Sequence, residues 1–176
     1  MSYVISIDVG LKNLGLCVFD FSTAQIVHWE NVLLIGEGSY APKDNVKYVR
    51  DFVSKYRHFF DYAFQVVIER QIRTNMRIVE AVLHTLYYDV CKIVSARTVK
   101  CHFNLSCKNY RQNKQKAVQV VRQFTRGNPS LFMSHLRQIP FARGKVDDLA
   151  DSLLLLLYYL DTYSNQIQYQ FCNVLL

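Results

Sequence analysis

The chain has 176 residues, 51% hydrophobic and 20% charged, with a formal net charge of +7. That composition excludes a disordered chain, and the length predicts one domain over residues 1–176. The longest apolar run, Leu153 to Leu160, has eight residues, too few for the about 20 that a membrane-spanning helix needs.

The first third reads as strands. Tyr3 to Asp8 is β-rich and ends in a carboxylate, Gly10 and Gly15 bracket a turn, and Leu16 to Phe21 returns. Gln25 to Ile35 reads as a third strand, broken by Gly36, Gly38 and Pro42. Asp44 or Asn45 can cap a helix in which Val46, Val49, Phe52, Val53, Tyr56, Phe59 and Phe60 recur at helical spacing. Phe64 to Ile68 is a short apolar strand that again ends in an acid, Glu69. A second helix is predicted from Thr74 or Asn75, with Val79, Val82, Leu83, Leu86, Tyr87 and Val90 on one face, and Lys92 to Val99 reads as a strand. A third helix covers Arg111 to Phe124, and Asn128-Pro129 stops it. Pro129 to Asp148 is poorly patterned, which suits a functional or mobile loop. The last helix, Asp147 to about Tyr163, is apolar nearly all round and should be buried on several sides. This order predicts an α/β fold, a mixed sheet with helices against its faces.

The start, MSYVISIDVG, has neither a basic region nor an apolar signal core. The five cysteines (Cys17, Cys91, Cys101, Cys107 and Cys172) are odd in number and form no CxxC. Free thiols in an intracellular, reducing compartment are expected. Charge is unevenly spread. The 57 residues from Val90 to Val146 hold 12 Lys or Arg and no acid, leaving nine basic and 14 acidic residues elsewhere. A single-sign stretch of that length inside a folded domain points to a polyanion partner.

The scarce acids stand at element ends. Asp8 closes Ile5-Ser6-Ile7-Asp8, Glu69 closes Val66-Val67-Ile68-Glu69, and Asp147, Asp148 and Asp151 open the last helix. An acid among Ile, Val and Leu is costly to desolvate unless it meets a cation. Asp151 shares a helical face with Asp148 and nearly as well with Asp147, so spacing does not choose between them. Converging carboxylates could hold two Mg²⁺ ions about 3.5–4 Å apart, an arrangement suited to in-line attack on a phosphodiester. The competing roles are ordinary ones: Asp147 or Asp148 as helix cap, Glu69 as partner of Arg70 or Arg73, Asp8 as a turn residue.

Taken in order, Ile7-Asp8-Val9-Gly10-Leu11-Lys12-Asn13-Leu14-Gly15, Ile68-Glu69-Arg70-Gln71 with Arg73, Asn109-Tyr110-Arg111 with Lys114, Lys116, Ala117 and Val118, and Lys145-Val146-Asp147-Asp148-Leu149-Ala150-Asp151-Ser152 resemble a known family. They look like the Holliday junction resolvases of poxviruses, relatives of the bacterial RuvC resolvase, over roughly residues 3 to 163. The resemblance implies an RNase H-like fold with a five-stranded mixed sheet, a homodimer, and symmetric nicking of four-way DNA junctions. It implies Mg²⁺ dependence, with Mn²⁺ able to substitute, and products ending in 5′-phosphate and 3′-hydroxyl. It carries the metal ligands onto Asp8, Glu69, Asp148 and Asp151, and a catalytic lysine onto Lys114, with Lys116 the other candidate. Were the chain viral, the host cytoplasm at sites of viral DNA replication would house it.

Arg70, Arg73, Lys108, Arg111, Lys114, Lys116, Arg143 and Lys145 are the candidate phosphate contacts. Phe103, Tyr110, Phe124, Phe132 and Phe141 lie in the same basic segment and could stack on exposed bases, although helical position favours a core role for Phe124. The second helix or the apolar last helix could form the dimer interface. A structured-RNA nuclease of the pre-ribosomal type and a non-catalytic nucleic-acid-binding module are the alternatives.

Overall fold

The computed structural model describes residues 2–36, 38–105, 110–136 and 146–163. Strands β1 (Tyr3–Asp8), β2 (Leu14–Asp20) and β3 (Gln25–Val32) form an antiparallel meander. β4 (Ala63–Glu69) and β5 (Cys91–Val94) add on in parallel, giving the order β3-β2-β1-β4-β5. Parallel strands need a crossover, which helices α1 (Asn45–Lys55), α2 (Arg57–Phe60) and α3 (Thr74–Leu86) supply. Helices α4 (Ala96–His102), α5 (Tyr110–Gly127) and α6 (Val146–Tyr163) follow.

Both faces of the sheet are covered, which is why its central strands are apolar at nearly every position. Strand alternation sorts side chains between two cores. Ile5, Ile7, Leu16, Val18, Val66 and Ile68 pack with α1 and α3, whereas Val4, Cys17, Phe19 and Val67 pack with α4, α5 and α6. On β1 and β4 the second set has the parity of Asp8 and Glu69, so both acids end their strands on the α6 side. α6 is buried as its sequence predicts, with Leu153, Leu155, Leu156 and Leu160 fully enclosed; each such side chain contributes about 1.5–3 kcal/mol on burial.

Four sequence expectations are corrected. Lys92 to Val99 is not one strand: β5 stops at Val94, and Ser95 caps α4 by accepting the Arg97 N–H at 3.3 Å. The third strand ends at Val32 instead of Ile35. The first helix is interrupted at Tyr56, whose φ of −105° and ψ of 22° leave the helical region before α2 begins. Finally, residues 129–136 are not loose. They form two 3₁₀ turns whose Leu131, Phe132 and Leu136 are buried, and Phe132 bridges to Ile26.

Candidate functional site

Asp8 and Glu69 end neighbouring strands. β1 and β4 are parallel, Ile7 pairs with Ile68, and the next residue on each strand is the acid. The chain beyond Glu69 is pinned. The Arg70 N–H donates to the Val94 carbonyl at 2.8 Å, and the Gln71 side-chain amide donates to the Glu69 carbonyl at 3.0 Å. Gln71 is buried, while Ile72, 93% exposed, projects between the exposed Arg70 and Arg73.

The other two acids arrive on α6, which is attached to three successive strands. Trp29 of β3 donates its indole N–H to the Leu149 carbonyl at 2.9 Å. Ser6 of β1 donates its hydroxyl to the Ser152 carbonyl at 2.8 Å. On β2, Gly15 pairs with Asp8, and a Cβ at Gly15 would sit 2.3 Å from the Asp148 carbonyl oxygen. Only glycine lets the first turn of α6 lie this close to the strand. The turn at Gly10 is equally closed, since a Cβ there would meet the Asn13 carbonyl oxygen at 1.9 Å. These contacts put Asp148 and, one turn on, Asp151 over the end of the sheet that carries Asp8 and Glu69.

The four acids feel one another. Burial, then the charges of Glu69, Asp151 and Asp148, hold Asp8 well above the usual carboxylate range. Burial, then Asp151, pushes Glu69 up to about 7. Burial raises Asp151 as well. Crowded carboxylates of this kind are a recognised mark of functional sites. Among the described residues, no three Asp, Glu, His or Cys side chains stand close enough to cage an ion as they are. The donor set still fits a hard divalent cation, because it is all oxygen and its charges repel one another until a cation relieves them.

Two lysines temper this repulsion. Lys114 of α5 forms a short ion pair with Asp147 and lowers Glu69 and Asp151. Lys100 of α4 lowers Asp8, Glu69 and Asp151, and acts on the last two more strongly than Lys114 does. The sequence expectation missed Lys100 because α4 was read as a strand; Ser95 as a cap, with Val99 and Phe103 four residues apart, was the available signal. Lys116 instead donates to the Asn104 carbonyl at 2.9 Å. Among the described residues, neither Arg70 nor Arg73 lies within ion-pair distance of Glu69. Arg111 is exposed on α5. Lys108, Arg143, Lys145 and Phe141 lie outside the described residues. Phe103, Phe124 and Phe132 are buried in the core, so base stacking is not their role.

The sheet order and flanking helices are those of the RNase H-like fold. The structure matches that of the fowlpox virus Holliday junction resolvase with a TM-score of 0.63 at 16% identity, covering 90% of this chain and 97% of that one. It matches Thermus thermophilus RuvC in complex with a Holliday junction substrate with a TM-score of 0.54 at 16% identity, covering 90% and 94%. No curated protein matches the sequence. The family model described as Poxvirus A22 protein matches residues 2–162. Nearly the whole chain thus fits one family pattern, and the protein belongs to the Poxvirus A22 protein family.

Proposed function

We propose that this protein is a Holliday junction resolvase: a single-domain, metal-dependent endonuclease that makes paired, symmetric nicks in four-way DNA and works as a homodimer. The observation that carries the reading is the meeting of Asp8 and Glu69, from adjacent parallel strand ends, with Asp148 and Asp151 from α6. Of the two solved structures named above, the fowlpox protein is a Holliday junction resolvase by description and the RuvC protein is bound to a Holliday junction substrate.

Asp8, Glu69, Asp148 and Asp151 would hold two divalent ions, Mg²⁺ or in its place Mn²⁺. Bound there, such ions supply the charge neutralisation and water activation that phosphodiester hydrolysis needs. The protein's own part is positional and electrostatic. Water oxygen bonds to phosphorus as the bond from phosphorus to the 3′-oxygen breaks, and that oxygen takes up a proton, leaving 5′-phosphate and 3′-hydroxyl ends. Lys100 and Lys114 offset the negative charge that grows on the phosphorus oxygens. Arg70 and Arg73, exposed just past Glu69, are placed to take phosphates on the way in. Host cytoplasm where viral DNA replicates is the matching location. Among the described residues no helix is long and apolar enough to cross a membrane.

The dimer surface we favour is α3. α6 is enclosed, whereas Ile78 and Leu86 of α3 are 38% and 55% exposed, and Val46 beside them is 61% exposed. These residues line a groove of about 600 Å³ with Thr74, Arg77, Ala81, Val82 and Thr85. Two copies joined there present two carboxylate clusters at fixed spacing, as two equivalent strands of a junction require.

One gel tests the reading. Wild type in Mg²⁺ should nick a four-way junction and leave linear duplex DNA and structured RNA intact. Asp151→Asn should bind the junction and not cut it. Cutting of RNA alone makes the protein an RNA nuclease, binding without cutting makes it a passive module, and normal cutting by Asp151→Asn removes Asp151 from the site.

A further inference from the structure

From Tyr110 to Gly127, α5 carries Arg111, Lys114, Lys116, Arg122 and Arg126 and not one acid. Its Ala117, Val121 and Phe124 are buried in the core that α6 shares. At 3.6 residues per turn, Arg111, Gln115, Gln119, Arg122 and Arg126 fall on the opposite face, and all five are exposed. Between this face and the start of α6 runs a groove of about 630 Å³ lined by Arg111, Gln115, Val118, Gln119 and Arg122. The Lys114–Asp147 pair borders it, so among the described residues the one acid on its wall is matched by a lysine. The next residue, Asp148, belongs to the carboxylate cluster.

We infer that this groove is a track for a continuous DNA strand running past the carboxylate cluster, with Arg111 and Arg122 on phosphates and the Gln115 and Gln119 amides on backbone oxygens between them. Its length suits a strand. The 11 helical steps from Arg111 to Arg122 span about 16 Å, long enough to meet more than one phosphate of a single strand. Its chemistry suits a backbone and not a base code. Guanidiniums pair with phosphate oxygens in fork geometry, and amides donate to any oxygen in reach. Val118 and the arginine stems give the groove an apolar floor on which sugars can rest. The inference extends the contacts expected from the sequence to Gln115, Gln119 and Arg122, and it rests on the resolvase reading above.

The test uses the full chain and a fluorescent four-way junction, with Ca²⁺ replacing Mg²⁺ so that binding is read by anisotropy over a salt series. Arg122→Ala should reduce the log–log salt slope by about 0.7–0.9, the loss of one phosphate contact. Arg122→Lys should restore it. Gln115→Glu with Gln119→Glu, which puts two carboxylates on the track, should weaken binding about tenfold or more, and Lys43→Ala, on a distant turn, should not. Wild-type slope and affinity in the groove variants overturn the track. So does a loss of self-association on sizing without a change in slope, which would make the groove a contact between copies. Wild-type nicking in Mg²⁺ is scored separately: without it the resolvase reading fails, while the salt slopes still decide what the groove binds.

Discussion

Gly15 and Asp148 meet backbone to backbone, with the Asp148 carbonyl oxygen occupying the space a Cβ on Gly15 would need. Because Gly15 is also the cross-strand partner of Asp8, this one approach sets how close the two acids come. Gly15→Ala should lift the first turn of α6 off the sheet, at about 1–3 kcal/mol of stability. The expected result is a lower Tm together with a fall in junction nicking larger than the loss of folded protein explains. A variant that nicks and melts like wild type would show that the approach has no bearing on the cluster.

The two lysines should separate by readout. Lys114→Ala leaves Asp147 without its ion pair and should slow single-turnover cleavage about 10²-fold while changing junction affinity far less. An unchanged rate takes Lys114 out of the site. Lys100→Ala removes the stronger of the two cations acting on Glu69 and Asp151, so the pH midpoint of cleavage should move upward. A midpoint that stays put, with slower cleavage, would restrict Lys100 to the transition state.

Stability of the metal-free protein should fall as pH rises through the neutral range. Glu69 goes from an ordinary 4.5 in the unfolded chain to about 7 in the folded one. Between those values the folded state keeps a proton that the unfolded state has released, and raising the pH withdraws that advantage. The loss is at most about 3–4 kcal/mol at roughly 1.4 kcal/mol per unit. Asp8 and Asp151 are raised too and act in the same direction. Glu30 is lowered, chiefly by the His28 imidazole 3.5 Å away, and its contribution disappears only in more acid solution. Calorimetry without metal should therefore give a lower Tm at about pH 8 than at about pH 5.5, and Mg²⁺ should narrow the gap. A Tm that rises over this interval would contradict the crowding of the carboxylates.

Charge on α3 should dissociate the protein. Leu86→Glu, or Ile78→Glu with Leu86→Glu, places carboxylates in the exposed apolar groove. Sizing should show a dimer for wild type and a monomer for these variants, and paired symmetric nicks should give way to single ones. If the variants remain dimeric, the interface lies elsewhere.

The placement of the candidate site's acids at element ends is legible in the sequence because these residues announce themselves locally. An acid closing a strand rich in Ile and Val, as at Asp8 and Glu69, contradicts its surroundings and has to be explained. α6 was legible for a similar reason, since its apolar residues leave no polar face to expose. What stayed hidden depends on partners far away in sequence. Ser6 looks like any strand serine until its hydroxyl is found on the Ser152 carbonyl. Gly15 looks like a turn glycine, yet the close neighbour is Asp148. Lys100 was concealed by β-branched residues around Ser95 that imitate strand propensity, where tertiary packing of Val99 and Phe103 favours a helix.

The fastening of α6 to Ser6, Gly15 and Trp29 joins the first strands of the protein to its last described helix. Synthesis runs from one end to the other, so a growing polypeptide holds Asp8 and Glu69 long before Asp148 and Asp151 exist. A nascent chain therefore lacks half of the acid cluster until α6 has been made. The candidate site is complete only once translation has passed α6 and that helix has seated on the sheet.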